Sequence, residues 1–131
     1  MISSMSFSIH HVAIICSDLD RAKRFYVEAL GFSVIQEVYR AERSSWKVDL
    51  RIDAQTQIEL FTFPNAPPRP TTPEAQGLRH LAFRVEDLEE ELARLRSFEI
   101  LAEPIRVDEF TGKRFTFIRD PDDLPIELYE S

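Results

Sequence analysis

The stretch His11-Val12-Ala13-Ile14-Ile15-Cys16-Ser17-Asp18-Leu19 returns as His80-Leu81-Ala82-Phe83-Arg84-Val85-Glu86-Asp87-Leu88, with His, Ala, Asp and Leu in the same register 69 positions later. A second match follows in the same order: Ile58-Glu59-Leu60-Phe61 pairs with Ile126-Glu127-Leu128-Tyr129, now 68 positions apart. Two matched segments in the same order indicate an internal duplication, so the fold is read one half at a time. Between the halves, residues 64–73 hold five prolines in ten positions. Such a stretch can be neither helix nor inner strand, because proline lacks the N–H that both need. The chain therefore reads as a single domain over 1–131 made of two modules, 7–63 and 78–130, joined by a Pro-rich linker at 64–77.

Within each module the order of elements repeats. A strand, 7–16 or 78–85, runs towards an Asp suited to cap a helix, since its carboxylate can accept from free N–H groups of the first turn. In the first helix Leu19, Ala22, Phe25, Tyr26 and Leu30 recur at three- and four-residue spacing, and Gly31 can take the left-handed conformation that closes it. The second helix, 88–97, aligns Leu88, Leu92 and Leu95. Three strands complete each half: 32–40, 46–53 and 57–63, then 100–107, 113–119 and 125–130, with a turn at 120–123. Each module is predicted to be βαβββ. The whole is an α+β fold, two tandem modules forming a curved mixed sheet cleft with helices on the outer face.

Side chains alternate across a strand, and the phases agree in both modules. Val12 and Ile14 face away from His11, Ile58 and Leu60 from Glu59, Leu81 and Phe83 from His80, and Ile126 and Leu128 from Glu127. If the apolar sets pack under the helices, His11, Glu59, His80 and Glu127 emerge together on the opposite, concave face. Two imidazoles and two carboxylates suit one divalent ion, with zinc or nickel expected first and cobalt, manganese or iron compatible with the same ligands. His10 has no counterpart, because Arg79 occupies its place in the second module, and it is left out of the set.

Composition narrows the partners. A net formal charge of −7, with acidic and basic residues interspersed, disfavours nucleic acid. The apolar run 12–16 is too short to span a membrane, and a lone cysteine, Cys16, reads as a small buried residue in a protein of the reducing cytoplasm. Exposed strand edges favour a homodimer. Arg40, Arg43, Trp46 and Lys47 near the connection between the second and third strands, with Lys113 and Arg114 at the start of a later one, are candidates to hold an acidic small-molecule substrate.

These residues resemble the vicinal oxygen chelate superfamily, which includes glyoxalase I, extradiol dioxygenases, thiol transferases, epimerases and bleomycin-resistance proteins. The likeness spans nearly the whole chain and is carried by His11-Val12-Ala13-Ile14, Phe25-Tyr26 with Leu30-Gly31-Phe32, Ile58-Glu59-Leu60-Phe61, Leu78-Arg79-His80-Leu81 and Asp120-Pro121-Asp122. Within it the chain is similar to a YaeR-like bacterial subgroup, through Glu37-Val38-Tyr39-Arg40, Ser45-Trp46-Lys47 and Lys113-Arg114-Phe115-Thr116-Phe117. Dioxygenases and thiol transferases leave the second ligand position vacant and the epimerase places a Gln there, whereas this chain has Glu59. A His, Glu, His, Glu set resembles glyoxalase I. It implies a metal-dependent lyase or isomerase of the lactoylglutathione lyase type, acting through an enediolate on the hemithioacetal of a 2-oxoaldehyde and a thiol. Glu127 or Glu59 would be the base. The alternatives are another metal-dependent enzyme of the superfamily, such as an epimerase or a thiol transferase, and a non-catalytic protein that binds a small molecule.

Overall fold

The computed structural model describes residues 6–131 and divides into two compact units after Ala66. Each is an α+β unit built on a four-stranded mixed sheet. In the first, β1 (His11–Ile15), β2 (Ser33–Arg40), β3 (Ser45–Arg51) and β4 (Gln57–Phe61) lie in the order β1-β4-β3-β2. The second repeats this with β5 (Leu81–Val85), β6 (Arg106–Val107), β7 (Arg114–Arg119) and β8 (Pro125–Glu130), in the order β5-β8-β7-β6. The first strand of each unit runs parallel to the last, and the other pairings are antiparallel. The parallel register repeats as well: Ala13 lies opposite Glu59, and Ala82 opposite Glu127.

The helices begin as the sequence predicts. Asp18 accepts from the Arg21 N–H and Asp87 from the Glu90 N–H, both at 3.1 Å, so the same cap opens α1 (Leu19–Lys23) and α2 (Leu88–Arg96). The first helix differs from expectation in its second half. After Lys23 it widens into a π-helical stretch, Arg24–Ala29, in which the Leu30 N–H reaches the Phe25 carbonyl, before Gly31 closes it at φ 85°. Phe25, Tyr26 and Ala29 are all buried along this stretch.

The strand expected at 100–107 shrinks to Arg106–Val107. Pro104 has no N–H to give a ladder, and the segment is held across by the Glu103 N–H to the Phe117 carbonyl, at 3.0 Å, and by the Thr116 hydroxyl to the Glu103 carbonyl, at 2.6 Å. In the 120–123 turn, Asp120 Oδ1 accepts from both the Asp122 and Leu124 N–H groups at 2.9 Å.

Each helix packs on the side of its sheet where the alternating apolar residues point. Val48, Leu50, Ile58 and Leu60 are fully buried in the first unit, as are Ile126 and Leu88 in the second, where Ile118 and Leu95 are 1% exposed. Cys16 is buried too, its thiol directed at the Phe61 carbonyl, as a small core residue. Among the described residues no helix is long and apolar enough to cross a membrane.

Candidate functional site

With Ile58 and Leu60 turned under the helix, Glu59 emerges on the other face of β4, and by the same alternation Glu127 emerges from β8. Each carboxylate meets the histidine of its own unit. His11 Nδ1 lies 3.5 Å from Glu59 Oε2, and His80 Nε2 lies 3.1 Å from Glu127 Oε1. The carboxylates are only 13% and 15% exposed, but the residue beside each across the parallel ladder is an alanine, so the ligand face is not filled by a large neighbour. The repeated Ala in the two opening segments thus acquires a physical reason.

Each unit therefore presents one imidazole and one carboxylate oxygen within reach of a common atom. That donor chemistry fits a divalent ion, which takes neutral imidazole nitrogen and ionised carboxylate oxygen at about 2 Å. Within either unit the described residues gather no group of three or more His, Cys, Asp or Glu side chains suited to a metal, so each offers two donors. His10 sits with its Nδ1 2.9 Å from that of His11, edge-on to its ring.

The surroundings of the two pairs differ in kind. In β3 the residue opposite Glu59 is Asp49, whose carboxylate holds Lys47 Nζ at 2.7 Å, and the same ammonium is 3.9 Å from Glu59. In β7 the residue opposite Glu127 is Phe117, whose ring takes the edge of His80 with centroids 5.1 Å apart. One pair is bordered by a second ion pair and the other by aromatic carbon.

The second unit also has a cavity of about 720 Å³ on this face, with His80, Glu127, Phe115 and Phe117 in its wall. Residues from Arg69 to Ala75, within the second unit, line one side, and Arg79, Arg106 and Arg119 add guanidinium groups. In the first unit Arg40 lies over Phe61 and Phe63, its carbon 4.8 and 5.7 Å from the ring centroids. It donates to Ser45, while its buried Nε has no hydrogen-bond partner.

Of the residues expected to hold substrate, Lys47 shares the face of Glu59. Trp46, one residue earlier, shares the face of Val48 and Leu50, with its ring against Tyr39 at 5.1 Å. Arg43 lies in the exposed turn Ala41–Arg43. Arg114 is turned to the helix side, where Glu130 takes its Nε and Nη2, each at 2.9 Å, and Glu89 of α2 takes Nη1. A shift of one position along a strand reverses the face, so membership of a basic cluster does not predict which face a residue serves. Sequence reasoning missed Arg106 and Phe117, although the alternation of Phe115 and Phe117 around the buried Thr116 was a signal that could have found the aromatic wall.

Arg114 instead has a structural part. The guanidinium, with help from the Leu88 N–H, holds the Glu130 carboxyl below the ordinary glutamate range. A lowered folded-state pKa gives stability that is present above the unfolded value, about 4.3, and is lost as pH falls through the folded one. Arg114→Gln is expected to lower the urea midpoint at pH 7 and to lower it less at pH 3, because the pair weakens as the wild-type Glu130 carboxyl takes up its proton. Parallel curves at the two pH values would refute the coupling.

Residues 8–128 match the Glyoxalase/Bleomycin resistance protein/Dioxygenase superfamily. The chain is 59% identical over 123 residues to the uncharacterized protein YwkD of Bacillus subtilis, covering 94% of this chain and 96% of that one. It is 55% identical to the uncharacterized protein YaeR of Escherichia coli, covering 93% and 95%. A 2-epi-5-epi-valiolone epimerase of Actinomyces is 26% identical, covering 92% and 78%. Among solved structures, a glyoxalase family protein from Enterococcus faecalis superposes with a TM-score of 0.87 at 51% identity, covering 94% and 97%. The trypanothione-dependent glyoxalase I of Leishmania major superposes at 0.73 with 29% identity, covering 95% and 87%.

Proposed function

Because the chain belongs to the Glyoxalase/Bleomycin resistance protein/Dioxygenase superfamily, we propose that it is a divalent-metal-dependent lyase of the glyoxalase I type, acting on the hemithioacetal of a 2-oxoaldehyde and a thiol. His11, Glu59, His80 and Glu127 are the metal donors in this reading. The observation that supports it most is the duplicated imidazole–carboxylate pair, with a carboxylate in both units. The likeness to a glyoxalase I of known structure adds to it.

The reaction moves two protons, of which the one on carbon is the difficult one. That proton leaves the carbon that bears sulfur and hydroxyl and arrives on the neighbouring carbon, while the hydroxyl proton passes to the neighbouring oxygen, turning a 2-oxo hemithioacetal into the thioester of a 2-hydroxy acid. The removed proton is weakly acidic, so a positioned carboxylate must take it while the charge left behind is spread over two oxygens. A bound divalent ion would supply the Lewis acidity that stabilises those oxygens. Glu127 is the better placed base, since it lines the cavity while Glu59 has Lys47 nearby. After taking the proton, the same carboxyl can return it to the adjacent carbon without exchange of partners. Phe115 and Phe117 give that edge of the site an apolar wall, which would help to shield an enediolate from protonation by solvent. The reading includes a cytoplasmic homodimer with zinc or nickel as the first metals to test.

The test is metal analysis of the purified protein followed by an assay with the methylglyoxal–glutathione hemithioacetal in zinc, nickel, cobalt, manganese and iron. Stoichiometric metal and metal-dependent thioester formation are expected. Metal without turnover would turn the function towards epimerisation, as the valiolone epimerase likeness suggests, and absence of metal would end the reading.

A further inference from the structure

The cavity of the second unit is unusual for so acidic a chain. Four arginines line it, Arg69, Arg79, Arg106 and Arg119, against the three carboxylates Glu74, Glu103 and Glu127, in a protein of net charge −7. Cations gathered where the chain as a whole is short of them attract anions. They are not equivalent. Arg69 is spent on its own backbone, donating to the Leu78 and Arg79 carbonyls and to Thr71 Oγ1. Arg119 closes a local turn with Asp123 at 2.6 Å, and Arg79 pairs with Glu74 while its Nη1 lies 3.3 Å from His80 Nδ1.

Arg106 differs in being mounted on a shelf. Its guanidinium carbon lies 5.1 Å from the Phe115 centroid and 5.5 Å from that of Phe117. Phe117 in turn carries the edge of His80. One aromatic ring therefore touches both the guanidinium and the imidazole. Stacking holds the planar cation in place while leaving its N–H edges free to bond in the ring plane. Its ion pair with Glu103 at 2.9 Å is a half-exposed contact three residues apart in sequence, of the kind that contributes little and is readily exchanged.

We infer that the substrate carries a carboxylate and that Arg106 binds it, with Glu103 occupying the guanidinium when the cavity is empty. This rests on the reading of His80 and Glu127 as the reactive edge, and adds the chemical class that the edge serves. A carboxylate fits because one planar fork can take its two oxygens side by side. Phe115 and Phe117 give the apolar remainder of the molecule a surface.

The experiment measures binding by titration calorimetry, on the full chain as purified and again after EDTA, so that neither metal nor turnover decides the outcome. The probes are mandelate, its neutral amide and inorganic phosphate. Mandelate is expected to bind wild type in both preparations, and Arg106→Gln to weaken it at least tenfold, with Arg106→Lys between. Mandelamide should bind wild type and Arg106→Gln alike. Arg119→Gln should weaken mandelate less than threefold, and circular dichroism should confirm that each variant is folded. Equal loss in Arg119→Gln would mean general charge attraction and overturn the assignment. So would mandelate binding that vanishes with EDTA, unchanged binding in Arg106→Gln, or phosphate bound in preference to mandelate. A failed hemithioacetal assay leaves this inference standing, and failure of mandelate to bind leaves the result of that assay untouched.

Discussion

His80→Ala is expected to lose its stoichiometric metal and to lower hemithioacetal turnover at least about a hundredfold, while staying folded. Changes to groups that merely orient a ligand cost about 10- to 100-fold in metal affinity or activity, and removing a donor costs more. The fold survives because His80 precedes β5 and is one-quarter exposed, and its contact with Phe117 is worth about 1 kcal/mol. Glu59→Gln is the companion. Gln keeps an oxygen donor and drops the charge, so metal should be retained in good part while turnover falls about 10- to 100-fold. Metal content by plasma emission and initial rates with nickel and zinc measure both. Wild-type rates in His80→Ala would remove this histidine from the mechanism, and full activity in Glu59→Gln would move the protein towards the relatives that work with Gln at that position.

Ile126→Ala should destabilise the protein by about 2–5 kcal/mol and Ile126→Val by about 0.5–1.5 kcal/mol, read as shifts in urea midpoint at constant slope. Ile126 is fully buried, with Leu81 beside it across the parallel ladder and Ile118 across the antiparallel one. Truncation leaves a hole between two strands and the helix that close packing cannot refill. Against a typical total of about 5–15 kcal/mol this is a large fraction. Because Glu127 is the next residue, loosening the strand also frees the carboxylate that faces His80, so Ile126→Ala should lose activity beyond its unfolded fraction. A shift below about 1 kcal/mol in Ile126→Ala would show that the apolar phase of β8 does not hold the unit together.

The same alternation explains why the two carboxylates are legible in the sequence. Ile-Glu-Leu sends one residue one way and two the other, a local rule set by the backbone, so Glu59 and Glu127 can be read from six letters. The Asp caps, the helix starts and the mixed sheets follow from equally local chemistry. Widening of the first helix after Lys23 is not legible, since the three- and four-residue spacing of Leu19, Ala22, Phe25 and Tyr26 reads as an ordinary helix. Nor is the shortening of β6, though Pro104 gives a hint.

Substrate residues are the least legible. Trp46 and Arg114 stand in basic or aromatic clusters, yet both fall on the helix side, and Arg114 is taken by Glu130 and Glu89 from distant parts of the chain. The sequence alone determined the duplication, the order of elements and which residues share a face, because each depends on neighbours along the chain. Only the tertiary structure decided that Lys47 and Asp49 border one pair while Phe117 borders the other, and that Arg106 rests on the ring that His80 touches. Those are contacts between strands, and their energies are fixed by packing distances that no single segment encodes.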